Sequence, residues 1–106
     1  MNINQNKKDL ITCLLNIKNE HELTQAELGK MVGVSQPRLS TMLNYHIDDY
    51  KLDAILSYLE KIGITLDLNQ KKQFPIRVDK KFLSQRIKEV KAETFQEKNA
   101  RKLLIE

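Results

Sequence analysis

A short stretch near the middle of the N-terminal half, VGVSQPRLS (32–40), carries polar side chains of the kinds that recognise nucleic-acid bases. Gln36 and Arg38 lie within it, and Thr41 follows directly. Glutamine can form two hydrogen bonds with adenine, arginine can form two with guanine, and a threonine methyl can pack on thymine. This chemistry requires a short helix that presents its first turn to the major groove of DNA.

The residues around this stretch predict two short helices joined by a tight turn. Thr24 followed by Glu27 is the pattern of a capping box, which begins a helix. Gly33 suits the end of that helix, where a left-handed backbone is needed. Ser35 then suits the N-cap of the next helix, and Pro37 fits its first turn, where amides lack intrahelical partners. In this second helix we expect an inward stripe made of Leu39, Met42 and Leu43.

Hydrophobic periodicity predicts the other elements. Apolar residues spaced three and four apart predict helices over 6–20, 52–62 and 80–104. Alternating apolar residues predict strands over 64–68 and 74–78. We therefore expect a mainly α fold, a bundle of four to five helices with a short strand or hairpin after it and a C-terminal helix.

Individual residues mark the ends of these later elements. Gly63 is the expected C-cap of the fourth helix, and Asp79 is the expected N-cap of the last one. Pro75 would place the second strand at an edge of the sheet. The last helix is expected to bear an apolar stripe that thins out after Phe95, with the members Phe82, Leu83, Ile87, Val90 and Phe95.

Charge divides the chain into two segments. Residues 1–69 carry seven Lys or Arg against nine Asp or Glu, a balance of −2, whereas residues 70–106 carry eleven against five, a balance of +6. Because the first segment contains the base-recognising side chains of Gln36, Arg38 and Thr41, we predict that it is a DNA-binding domain with a trailing strand. The second is a basic extension with a hairpin strand and a helix, which suits either an anionic partner or a well-solvated surface.

Several classes of protein are disfavoured by composition. No apolar run is long enough to span a membrane, and the polar start, Met1 to Leu10, lacks a signal core. One cysteine and two histidines do not provide a zinc spacing or an internal disulfide. We expect a cytoplasmic protein with no cofactor or metal and, because no nucleophile or glycine-rich loop accompanies the histidines, no enzymatic activity.

The segment LTQAELGKMVGVSQPRLSTMLN (23–44) resembles the helix-turn-helix of the lambda-repressor-like (XRE) family. The residues that carry the resemblance are Gln25, Gly29, Gly33, Val34, Ser35 and Leu39. That family usually has alanine where this sequence has Gly29, which costs about 1 kcal/mol of helix propensity. The continuation IDDYKLDAILSYLEKIGITLDL (47–68) is similar to a subgroup that includes antitoxins of the HigBA and HipB types.

The resemblance implies which residues meet DNA. The expected base-contacting residues are Gln36, Pro37, Arg38 and Thr41, with Pro37 limited to apolar contact. The expected backbone-contacting residues are Gln25, Ser35, Ser40, Asn44 and Tyr45. The expected partner is double-stranded DNA, with a palindromic operator read by a homodimer, and a toxin protein if the chain is an antitoxin.

Three functions remain open from the sequence. The first is a DNA-binding repressor that serves as the antitoxin of its operon, and the second is a phage or plasmid repressor without a toxin. The third is a protein-binding module that has kept the fold but lost DNA recognition, which the −2 balance of residues 1–69 favours. The strand after the fourth helix has two expected partners, either a strand of the same chain or its twin across a dimer axis.

Overall fold

The structure is a computed structural model that describes residues 3–66 and 76–105, with side chains over 5–66 and 76–95. The described part contains five helices and a two-stranded antiparallel sheet, which confirms the predicted mainly α fold. In chain order the elements are α1 (Ile3–Glu20), α2 (Gln25–Val32), α3 (Gln36–Leu43), α4 (Leu52–Glu60), β1 (Ile64–Leu66), β2 (Ile76–Val78) and α5 (Lys80–Ile105).

One hydrophobic core joins all of these helices to the sheet. Its members come from the inward stripes that the sequence periodicity predicts. The side chains with the least exposure are Leu10, Ile11, Leu14, Leu28, Met31, Val32, Leu39, Met42, Ile55, Leu59, Ile62 and Ile64. Because α2 and α3 bury their apolar faces in this core, their orientation is set by packing of α3 against α1 and of α2 against α5.

The chain leaves α4 differently from the prediction. The helix ends at Glu60 with Lys61 in the cap position, so the prediction of Gly63 as the C-cap is wrong. Two tighter turns follow, in which the amides of Ile62 and Gly63 donate to the carbonyls of Leu59 and Glu60. Gly63 then adopts a positive φ of 84° and directs the chain into β1.

The strand β1 pairs with a strand of its own chain. It runs antiparallel to β2, with Thr65 opposite Arg77. This is the intrachain alternative of the two that the sequence left open. The predicted strand residues 67–68 and 74–75, including Pro75 at the expected edge position, lie outside the described residues.

The helix α5 begins as predicted but buries a narrower stripe. Asp79 caps it, since its side chain accepts a hydrogen bond from the Phe82 amide at 3.1 Å. Three residues, Leu83, Ile87 and Val90, are buried in the common core. Phe82 and Phe95 are 44% and 66% exposed, so the prediction that they belong to the inward stripe is wrong. At about 100° per residue, they point well away from the face that these three residues define.

The C-terminal helix is also attached near the start of the second helix. The Lys91 ammonium donates to the His21 carbonyl at 3.0 Å, and α5 packs against α2.

Within the described residues, no helix has the length and apolar character needed to cross a membrane.

Candidate nucleic-acid interface

The first helix of the two-helix motif begins with a complete capping box. The Thr24 hydroxyl accepts from the Glu27 amide at 3.0 Å, and the Glu27 carboxylate accepts from the Thr24 amide at 2.9 Å. These two bonds satisfy backbone donors that helix geometry would leave unpaired. The first residue after the cap is Gln25, which is half-buried. The N-terminal turn of α2 is thus fixed as the sequence pattern predicts.

The turn between α2 and α3 is tight because one backbone carbonyl accepts two hydrogen bonds within it. The Gly29 carbonyl accepts from the Gly33 amide at 2.8 Å and from the Val34 amide at 3.0 Å. Gly33 has a φ of 74°, which confirms its predicted left-handed conformation. Only two residues, Val34 and Ser35, therefore separate Gly33 from the start of α3.

The N-terminus of α3 has the predicted cap residue but not the expected side-chain bond. Ser35 is extended, with φ −62° and ψ 152°, yet its hydroxyl makes no capping hydrogen bond. Its carbonyl instead accepts from the Leu39 amide at 2.8 Å. Pro37 lies in the first turn, as predicted. The exposed Ser35 hydroxyl is therefore available to a group outside the protein.

The outward face of α3 holds all four predicted base-contacting residues. Gln36, Pro37, Arg38 and Thr41 are exposed, while Leu39 is fully buried on the opposite side. The Thr41 hydroxyl donates to the Pro37 carbonyl at 3.0 Å, which satisfies its donor within the helix. Thr41 is thereby better suited to apolar contact through its methyl than to donating a hydrogen bond. Contact with bases stays a prediction for all four.

A contact that the sequence did not predict joins α3 to the following loop. The Arg38 guanidinium lies over the Tyr50 ring, 5.1 Å from its centroid. Both line a recess of about 330 Å³, together with Thr41, His46, Asp48 and Asp49. Sequence reasoning missed Tyr50 because nothing in the spacing of an arginine and a tyrosine twelve positions apart indicates stacking.

A second, shallower recess joins the N-termini of the two helices. It has a volume of about 270 Å³, and its lining includes Gln25 of α2 and Gln36 of α3. The structure thus brings a predicted backbone-contacting residue beside a predicted base-contacting one. Lys30 also lines this recess and contributes an exposed cation.

The predicted backbone-contacting residues at the end of α3 are engaged with the protein. The Asn44 side-chain amide donates to the Ser40 carbonyl at 2.9 Å. Tyr45 has a φ of 63°, and its hydroxyl forms a 2.8 Å hydrogen bond with the Thr12 hydroxyl on α1. Tyr45 therefore connects the end of α3 to α1, which the sequence did not indicate. Whether Ser40, Asn44 and Tyr45 touch DNA stays a prediction.

The sequence of the chain matches a known protein family. A family model described as "Helix-turn-helix domain" matches residues 2–71. The chain belongs to this helix-turn-helix family. No curated protein and no solved structure matches the chain. The matched segment includes the helices α1 to α4 and the strand β1, and it ends before α5.

The charges around the helix-turn-helix are few and of both signs. Arg38 and Lys51 are exposed cations, and Asp48 and Asp49 are exposed anions in the loop between them. The helix-turn-helix surface therefore offers individual cations rather than a broad positive patch.

Among the described residues, no group of three or more His, Cys, Asp or Glu side chains is arranged to hold a metal.

The groups with shifted pKa values lie away from this surface. Burial raises the pKa of the Cys13 thiol on α1, which is partly buried against the hydrophobic core. Hydrogen bonds from Arg86 and Gln85 lower the pKa of Glu89 on α5. Neither shift gives the helix-turn-helix an acid or base with altered reactivity.

Proposed function

We propose that the chain is a sequence-specific DNA-binding transcriptional repressor that inserts α3 into the major groove. The observation that carries the proposal is the division of α3 into two faces. Leu39, Met42 and Leu43 are buried, while Gln36 and Arg38 are exposed at its N-terminal end. A groove-reading helix needs this arrangement, because only its first turns reach the base edges.

Each exposed residue of α3 has a chemical role in this proposal. Gln36 pairs with adenine and Arg38 with guanine, each through two hydrogen bonds. Pro37 and Thr41 supply apolar contact to a thymine methyl. Phosphates are held by the Ser35 hydroxyl, which has no capping bond, and by Gln25 at the start of α2. Ser40, Asn44 and Tyr45 complete the proposed backbone contacts.

The protein acts as a homodimer on a palindromic operator in this proposal. Small repressors read two half-sites about 34 Å apart, so two recognition helices are needed. Within the described residues β1 already pairs with β2 of the same chain, so the proposed dimer does not depend on pairing between the β1 strands of two subunits. The expected oligomer is testable by sedimentation with and without operator DNA.

The biological setting that we propose is that of an antitoxin, located in the cytoplasm, which represses its own operon and binds its toxin. The support is the similarity of residues 47–68 to HigBA- and HipB-type antitoxins. A phage or plasmid repressor without a toxin is the alternative within the same class. Co-purification of the chain with the product of the adjacent reading frame distinguishes these settings.

The deciding experiment is binding to the DNA upstream of its own gene, measured by gel retardation and footprinting at low salt. Arg38→Ala should weaken binding by about 1–3 kcal/mol and relax specificity at one base pair, because it removes a bidentate interaction with guanine. Lys8→Ala, which removes an exposed cation from α1, is the matched control and should leave specificity unchanged. If Arg38→Ala weakens DNA binding equally on every sequence, Arg38 contacts a phosphate and not a base.

The second candidate function is a protein-binding module without DNA recognition. The observations that favour it are the −2 balance of residues 1–69 and the two exposed aspartates, Asp48 and Asp49, in the Arg38 recess. Carboxylates at that position oppose close approach of phosphates. Absence of retardation on any duplex at low salt would rule out the first function, and co-purification of a partner protein would then support this one.

A further inference from the structure

We propose that Tyr50, which lies outside both helices of the motif, is a positioning residue that sets the specificity of Arg38. It does so by holding the guanidinium against its ring in the orientation that base recognition needs. The inference rests on the proposed DNA-binding function and assigns to it a residue outside the segment 23–44 that carries the expected DNA contacts.

The Tyr50 ring is a fixed surface, whereas the Arg38 side chain is not. Tyr50 is half-buried and packs against the hydrophobic core, and its amide donates to the Ile47 carbonyl at 3.1 Å. Ile47 is itself only 3% exposed and anchors the loop in the core. Arg38 is exposed, and its guanidinium lies 5.1 Å from the centroid of the ring. The ring therefore restricts the arginine rather than the reverse.

The contact between Arg38 and the Tyr50 ring does not pair the guanidinium with an oxygen acceptor. A guanidinium carries five N–H donors, and an aromatic ring offers them no carboxylate or carbonyl oxygen. Asp48 and Asp49 line the same recess, yet within the described residues Arg38 forms no salt bridge with a carboxylate. A carboxylate partner would occupy the donors that guanine requires, and an aromatic partner does not.

Ordering the arginine before binding also lowers the entropic cost of the contact. A free arginine loses much of its rotamer freedom when it is fixed on a base. A stacked arginine has lost part of that freedom already, so more of the hydrogen-bond energy appears as affinity for the correct base. The gain in affinity is therefore expected only for DNA with the correct base pair at the position that Arg38 contacts, and not for DNA of any sequence.

The test is a double-mutant cycle on the full chain with Arg38→Ala, Tyr50→Leu and the combination. The readout is the ratio of affinities for the selected operator and for an operator with the Arg38-contacted base pair replaced. A cation–π contact at an exposed site corresponds to about a two- to fivefold change in that ratio. We expect Tyr50→Leu to reduce the ratio by this factor, Tyr50→Phe to preserve it, and Tyr50→Leu to have no effect once Arg38 is alanine.

Controls separate positioning from loss of structure. Tyr58→Leu removes another half-buried tyrosine from the same core and should leave the specificity ratio unchanged. If Tyr50→Leu does not fold, Tyr50→Met keeps apolar volume on the core while it removes the ring. Equal weakening on both operators, or a Tyr50→Leu effect that persists without Arg38, would overturn the inference while the wild type still binds DNA. A wild type that binds no duplex would overturn the proposed function as well.

Discussion

Gly29 and Val34 make direct backbone contact across the helix-turn-helix turn. The Val34 amide donates to the Gly29 carbonyl at 3.0 Å, and the Val34 carbonyl oxygen lies 2.8 Å from the position of a Cβ on residue 29. The lambda-repressor-like family, which the sequence resembles, usually has alanine here. In this chain the two backbones are too close for that methyl group without movement of the turn.

Gly29→Ala is therefore expected to destabilise the protein although alanine is the better helix former. Helix propensity favours alanine by about 1 kcal/mol, whereas overpacking against a backbone oxygen costs about 1–3 kcal/mol. Urea denaturation should show a net loss of free energy of unfolding. Ser57→Ala, on the exposed side of α4, is the control and should cause a slight gain. A more stable Gly29→Ala protein would contradict the steric argument.

The two cap residues are expected to respond differently to alanine. Thr24→Ala removes the capping box and should cost about 1 kcal/mol of stability. Ser35→Ala removes a hydroxyl that makes no capping bond, so the melting temperature should change little. If Ser35 contacts a phosphate, its variant should instead weaken binding equally on all DNA sequences. Equal thermal destabilisation by both variants would refute this division.

The Cys13 thiol is expected to react slowly with thiol reagents. Burial raises its pKa in the folded state, so less thiolate is present at neutral pH than in an unfolded chain. As pH rises above the ordinary thiol range, the unfolded state loses its proton first, and the folded state is therefore destabilised. Labelling rates measured against pH, with the urea-unfolded chain as reference, test this. An inflection at or below that of the unfolded chain would rule out the burial effect.

The end of the C-terminal helix is expected to be removable without loss of the fold. The last residue buried in the core among the described side chains is Val90, so truncation after Phe95 keeps every core residue that the structure describes. It removes the three cations Lys98, Arg101 and Lys102. If these cations meet phosphates, the slope of log K against log salt should fall by about 0.9 for each phosphate that the truncated chain no longer neutralises. An unchanged slope would show that this segment does not touch DNA.

The sequence predicted the features that depend on neighbouring residues. The Thr24 capping box, the left-handed Gly33 and the buried Leu39 each follow from a rule that spans a few positions. For the same reason, the exposed residues of α3 could be selected from the sequence. Their chemistry follows from residue type and their exposure from helical period.

The features that the sequence did not predict depend on residues far apart in the chain. Tyr45 meets Thr12 across 33 positions, and Lys91 meets the His21 carbonyl across 70. Phe95 continues an apolar pattern in the sequence, yet it is 66% exposed because it lies off the face of α5 that meets the core. Such contacts are decided by how the helices pack, which periodicity within one helix does not determine.

The packing of α5 against α2 has a consequence for the order in which the protein folds. Ribosomes complete α2 and α3, which end at Leu43, well before Leu83, Ile87 and Val90, which fill the same core. At 5–20 residues per second, the chain from Leu43 to Val90 takes on the order of 2–10 s to synthesise. During that time the face of α2 that packs against α5 is not yet buried by it. The nascent helix-turn-helix thus acquires its full stability only after most of the chain has been translated.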